Sequence, residues 1–110
     1  MTSPRSDVLQ GTLEMMILKL LTIEPAHGWG LSFRLRQISR EVFDVNQGSL
    51  YPALQRLLSR GLIRSEWRTS ENNRRARYYQ PTAAGRRALE TAVVDWERCS
   101  SAVNRVLRFA

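Results

Sequence analysis

With 110 residues and 43% hydrophobic content, the chain is long enough for one domain with a small core and too apolar for a disordered tail. Seventeen basic residues against 10 acidic ones leave a formal net charge of +7, which calls for an anionic partner. A lone cysteine excludes an internal disulfide, and a lone histidine leaves no metal-ligand cluster, so no metal or cofactor is expected. The amino-terminal MTSPRSD lacks the apolar run of a secretion signal, and no apolar stretch nears the ~20 residues of a bilayer span. A cytoplasmic protein without membrane contact is expected.

The charge is concentrated rather than diffuse. Between Arg56 and Arg87 stand nine arginines against only Glu66 and Glu71, so this segment carries the whole excess, and the rest of the chain is balanced.

Residues 1–6 are polar and contain Pro4, and are expected to form a loose arm. Over 7–22, Leu9, Leu13, Met16, Ile17, Leu20 and Leu21 keep the helical period. Glu24-Pro25 stops that helix, and residues 25–28 form a connector. A second helix is predicted over 29–42, with Leu31, Leu35, Ile38 and Val42 as its buried stripe. In a third, Leu50, Ala53, Leu54, Leu57 and Leu58 face inward while Ser49, Tyr51, Gln55, Arg56, Ser59 and Arg60 face out. Gly61 supplies a left-handed residue that ends it. Pro52 falls harmlessly in the first turn if Ser49 is the N-cap, but removes a backbone bond if Asn46 is. Three short helices in this order predict a helix-turn-helix core.

After Ile63 the period changes to two. Ile63, Ser65 and Trp67 alternate with Arg64, Glu66 and Arg68, and beyond the turn-forming TSENN, Arg75, Arg77 and Tyr79 alternate with Ala76, Tyr78 and Gln80. This predicts a hairpin wing bearing Arg74, Arg75 and Arg77. Of Tyr78 and Tyr79, one should pack on the core while the other is free to reach a phosphate. Thr82 is an N-cap candidate for a last helix running to about residue 108, ~40 Å at 1.5 Å per residue. Its heptad seam comprises Leu89, Ala92, Trp96, Cys99, Val103, Val106 and Ala110, with Val93 beside it. That seam is longer than the small body before it can cover, and a second copy is the economical partner. The fold class is thus mainly α with a small β-hairpin. A winged helix-turn-helix over 1–81 is joined to a long C-terminal dimerisation helix over 82–110, in one structural unit.

No catalytic constellation is present. His27 reads as a turn residue and Cys99 as a small apolar filler of the seam, ahead of any role as a thiol sensor. For a duplex, Gln47, Ser49, Tyr51 and Gln55 stand where base edges or the flanking backbone would be met. Arg56 and Arg60 lie a turn further on for phosphates, and Arg74, Arg75 and Arg77 follow the backbone or enter the minor groove. A winged helix used purely for protein interaction stays open as an alternative, as does an RNA-binding module, though the latter would want exposed aromatics on a sheet for base stacking.

These residues resemble the PadR-like winged helix-turn-helix transcriptional regulators, in the short form with one C-terminal helix. Leu9-x-Gly11-Thr12-Leu13 is similar to the family's opening segment and His27-Gly28-Trp29 to its connector, with Trp in place of Tyr. Gly48-Ser49-Leu50-Tyr51-Pro52-Ala53-Leu54, Leu57 and Gly61-Leu62-Ile63 resemble its recognition helix; Arg75-x-Arg77-Tyr78-Tyr79 and Thr82-x-x-Gly85 resemble its wing and dimer helix. Pro81 departs from the family's usual leucine, and without a backbone donor it is expected to end the strand one residue early. The resemblance implies a dimeric repressor of double-stranded DNA, often acting on a neighbouring operon for transport or detoxification. It also implies a space between last and first helices, near Trp96, that can receive a planar apolar small-molecule effector.

Overall fold

The computed structural model describes the backbone of residues 4–110 and the side chains of residues 11–110. Leu13, Ile17, Leu18, Leu20 and Leu21 make the first helix, α1 (Pro4–Ile23), apolar over a wide face, and all five are buried. The helix starts earlier than its sequence pattern. Residues 4–6, expected in a loose arm, are helical, because a proline in the first turn forfeits no bond and presets φ. Residues 1–3 of that arm and the Leu9 side chain lie outside the described residues.

The connector contains a short strand, β1 (Ala26–His27), before α2 (Gly28–Ile38). His27 caps α2, its Nδ1 accepting from the Gly30 N–H at 3.0 Å. α2 buries Leu31 and Leu35 but does not reach Val42. Arg40 and Glu41 take φ values of 53° and 67°, so the chain turns out of the helix. Such geometry costs a side chain about 1–2 kcal/mol per residue. It is held by the Glu41 N–H on the Arg36 carbonyl and the Arg36–Glu41 ion pair, each 2.8 Å. Val42, expected in the buried stripe, is accordingly 76% exposed, and Ile38, also expected there, ends α2 at 61% exposure.

The third helix, α3 (Gln47–Ser59), is capped by Asn46, whose Oδ1 accepts from the Ser49 N–H at 2.9 Å. Pro52 therefore lies inside the helix and leaves the Gly48 carbonyl without its ladder donor. Leu50, Ala53, Leu54 and Leu57 are fully buried at the centre of the core. The C-terminus closes by a Schellman arrangement about Gly61 (φ 71°). The Leu62 N–H bonds the Leu57 carbonyl and the Gly61 N–H bonds the Leu58 carbonyl, each at 3.0 Å.

The wing strands β2 (Ile63–Thr69) and β3 (Arg75–Pro81) pair antiparallel, and β1 adds to the far edge of β3 to give the order β1-β3-β2. The hairpin is thus part of a three-stranded sheet, with Ala26 opposite Tyr79 and His27 opposite Tyr78. Pro81 does not shorten β3 as expected. Thr82 N–H donates to the Leu62 carbonyl, which makes Ile63 and Pro81 a pair that exchanges no hydrogen bond, so the missing donor is not needed.

The last helix, α4 (Ala83–Leu107), begins where Thr82 Oγ1 accepts from the Gly85 N–H at 3.1 Å and donates to the Gly61 carbonyl at 2.7 Å. Gly85 lies so close to the end of α3 that a Cβ there would sit 1.9 Å from the Leu62 carbonyl oxygen. Leu89, one turn on, is buried in the same core as α1. Past Val93 the helix leaves the body, which gives the molecule extents of 57 × 28 × 26 Å.

Tyr79 fills the space between sheet and α3 at 2% exposure. Burial raises its hydroxyl pKa above the ordinary 10.0, with Arg77 opposing and Tyr51 adding to the rise. The neutral phenol is therefore favoured in the folded state. Its contribution to stability is intact below pH 10.0 and is lost as pH rises from there through the folded value. Urea midpoints on either side of pH 10 should fall with rising pH, and Tyr79→Phe should fall less; parallel curves would contradict the assignment. The two glycines at the α3–α4 joint should differ in kind. Gly61→Ala meets only left-handed strain and should cost about 1–2 kcal/mol. Gly85→Ala drives a methyl into backbone and should cost about 3 kcal/mol or more. A milder Gly85 variant would refute the close approach.

Candidate nucleic-acid interface

With the apolar stripe of α3 on the core, its opposite side presents Tyr51, Gln55 and Ser59, all exposed. The first turn is docked on α2 as well as capped. Gln47 Nε2 donates to Ser32 Oγ at 2.7 Å, and Tyr51 lies against Gly28, where an added Cβ would be 3.3 Å from its ring. A side chain at 28 would push Tyr51 and Gln47 back by a few tenths of an ångström. Between this turn and the wing runs a groove of about 480 Å³, lined among others by Tyr51, Gln55, Trp67, Arg74, Arg75 and Arg77.

The wing side of the groove follows from strand alternation. Trp67 is directly opposite Arg77, and Ser65 opposite Tyr79, so these side chains share one face. Near the body that face is core, through Tyr79. Further out it is solvent, and Trp67 is 57% exposed. The Arg75 and Arg77 guanidinium groups lie over its ring at 5.4 and 5.8 Å, and Arg77 Nε donates to Ser65 Oγ at 2.9 Å. The other face carries Tyr78, half-buried, edge-on to His27 at 5.2 Å and covered by Arg68 at 5.4 Å.

The arginines divide into two populations. Arg34, Arg36, Arg56, Arg60 and Arg68 each pair with a carboxylate: Glu24, Glu41, Glu14, Glu14 and Glu66 respectively. Among the described residues, Arg74, Arg75 and Arg77 have no carboxylate at ion-pair distance. Arg40, Arg64, Arg86, Arg87, Arg98, Arg105 and Arg108 have none either, and what sets the three wing arginines apart is their place beside Tyr51 and Gln55.

The structure thus brings Tyr51, Gln55, Arg74, Arg75 and Arg77 together. Ser49 is exposed with its N–H held by Asn46, and Gln47 is turned onto Ser32. Arg56 and Arg60 are ~140–180° round the helix from Tyr51 at 100° per residue. There they share the half-buried Glu14 of α1, at 2.9 and 3.2 Å. Trp67 and Trp29, which also line the groove, carry no site role in the sequence pattern. The one available signal was the register that sets Trp67 across from Arg77.

On α4, Leu89 is committed to the protomer's own core and Val93 packs against it. Trp96 (45% exposed), Cys99, Val103 and Val106 present the rest of the seam to solvent. His27 is a structural residue, as cap of α2 and neighbour of Tyr78. Among the described residues, no group of three or more His, Cys, Asp or Glu is placed to hold a metal, and no helix is long and apolar enough to cross a membrane.

The Transcriptional regulator PadR-like family model matches residues 17–91, from the middle of α1 to the first turns of α4. The transcriptional regulator Rv3488 of Mycobacterium tuberculosis is 36% identical over 80 residues, covering 73% of this chain and 71% of its own. A transcriptional regulator from Clostridium thermocellum has a similar structure, with a TM-score of 0.82 at 28% identity over 96% of this chain and 97% of the other. A PadR-like transcriptional regulator from Bacillus cereus gives 0.81 at 31% identity, over 94% and 99%. Helix-turn-helix core, arginine-bearing wing and long last helix agree with this family match, and the chain belongs to the PadR-like family of DNA-binding transcriptional regulators.

Proposed function

We propose that this chain is a repressor that binds an inverted-repeat operator as a homodimer and is released by a planar apolar small molecule. The observation that carries the DNA reading is the groove in which Tyr51 and Gln55 face Arg74, Arg75 and Arg77, arginines with no carboxylate partner among the described residues. On this reading Tyr51 and Gln55, with Ser49 beside them, meet base edges or the flanking backbone, and the wing arginines hold phosphates. Gln47 aims the first turn from its bond to Ser32. Arg56 and Arg60, each with one donor on Glu14, are left for flanking phosphates. Residues 1–81 form the DNA-binding part and 82–110 the dimerising part, acting in the cytoplasm.

Support for the dimer is the half of α4 beyond Val93, where Trp96, Cys99, Val103 and Val106 are exposed. An isolated helix of that length is marginal in water, so a helical seam calls for a partner. Support for an effector is narrower: Trp96 is the largest ring on that seam, placed where two copies would enclose it.

A protein-interaction module is the alternative, and titration of a duplex against the protein separates the two. Arg75→Ala and Arg77→Ala should weaken binding to every duplex alike and lower the salt slope by about 1 for each phosphate no longer neutralised. Tyr51→Ala and Gln55→Ala should instead reduce the preference for the operator over random DNA. Equal losses on both sequences from the helix variants would move the reading surface elsewhere. For the dimer, the footprint should show two half-sites about one helical turn apart. Trp96→Ala, removing up to about 3–5 kcal/mol of packing at the seam, should shift sedimentation toward monomer. A folded variant that stays fully dimeric would place both interface and effector site elsewhere.

A further inference from the structure

The exposed Trp67 is not explained by the core, since it lies on the part of the wing that the core does not reach. Nor does it serve as a base-stacking platform, because two guanidinium groups already stand over its ring, Arg75 at 5.4 Å and Arg77 at 5.8 Å. An arginine held by a carboxylate commits a donor to it and has its charge offset, as where Arg56 Nε and Arg60 Nη1 share the one carboxylate of Glu14. An arginine lying over an aromatic ring spends neither. Its planar face rests on the π cloud while its edge N–H groups stay free to bond a phosphate. Arg75 and Arg77 are two residues apart on one face of β3, so their like charges repel, and a flexible side chain in that setting would swing away into solvent. The indole that both groups lie over opposes that movement. The Ser65 hydroxyl takes only the Nε–H of Arg77, at 2.9 Å, leaving the outer donors unspent.

We propose that Trp67 is a positioning residue for nucleic-acid binding. Its indole holds the Arg75 and Arg77 guanidinium groups at the groove beside Tyr51 and Gln55, with charge and outer donors reserved for two phosphates. This rests on the DNA-binding reading of the groove. Trp67 touches no base, and its effect on affinity passes through the two arginines. The side-chain freedom that binding a duplex would otherwise remove is thereby already restricted in the free protein.

A double-mutant cycle with a mixed-sequence duplex tests this, using Trp67→Leu, Trp67→Phe and the Arg75→Ala/Arg77→Ala pair. Trp67→Leu keeps an apolar side chain without the ring and should weaken binding about fivefold to tenfold. Trp67→Phe, which keeps a π face, should recover most of that loss. In the Arg75→Ala/Arg77→Ala background, Trp67→Leu should have no further effect. Without DNA, the Nε–Hε resonances of Arg75 and Arg77 should carry a ring-current shift that Trp67→Leu abolishes. Loss from Trp67→Leu that is as large without the arginines as with them would overturn the proposal, as would full affinity in Trp67→Leu or the absence of the ring-current shift. Unchanged duplex binding by the arginine pair itself would overturn the reading of the groove. Loss in the pair with none in Trp67→Leu would overturn the positioning role alone.

Discussion

The architecture hangs on one joint, where the end of α3, the start of β2, the end of β3 and the start of α4 meet within a few ångströms. Thr82 makes three bonds there: its N–H to the Leu62 carbonyl, its hydroxyl to the Gly61 carbonyl, and its oxygen to the Gly85 N–H. Gly85 lies against Leu62 with no room for a methyl. The recognition helix, the wing and the long helix are thereby fixed to one another through backbone, which cannot repack as side chains can. The angle between wing and α3 is set here, far from the wing tip, and so is the direction in which α4 leaves the body.

Much of this was legible because each element kept one clear period. The α3 stripe Leu50, Ala53, Leu54 and Leu57 is buried as its spacing requires, and the change to alternation at Ile63 marks β2 at the correct residue. What failed did so where tertiary geometry overrode local pattern. Ile38 and Val42 continue the period of α2, but Arg40 and Glu41 adopt left-handed backbone and the helix ends before its pattern does. β1 is two residues long, too short to show any period, and exists only because β3 offers an open edge. Pro81 lacks a donor, yet the register puts that donor where no bond is made.

The candidate site was legible as a unit and not residue by residue. Spacing alone places Arg56, Arg60, Tyr51 and Gln55 all on outward faces of α3. It cannot show that Glu14, more than forty residues earlier, engages two of them and leaves the others free. Charge counting has the same blindness. The excess between Arg56 and Arg87 is real, but which cations remain unpaired depends on where the carboxylates fold to. Trp67 was visible as one letter of an alternating strand, and its exposure follows from the wing outrunning the core.

Pro52 has a mechanical consequence. With the Gly48 carbonyl left without its ladder donor, the first turn of α3 is secured as much from outside as from within. The Asn46 cap, the Gln47 bond to Ser32 and the seat of Tyr51 on Gly28 hold it, and the last two belong to α2. The tip that carries Tyr51 is thus fixed to α2 on one side and to the core through the buried Leu50 on the other. Substitutions in α2 at Gly28 or Ser32 would therefore be felt at the reading end of α3, although neither residue lies on that helix.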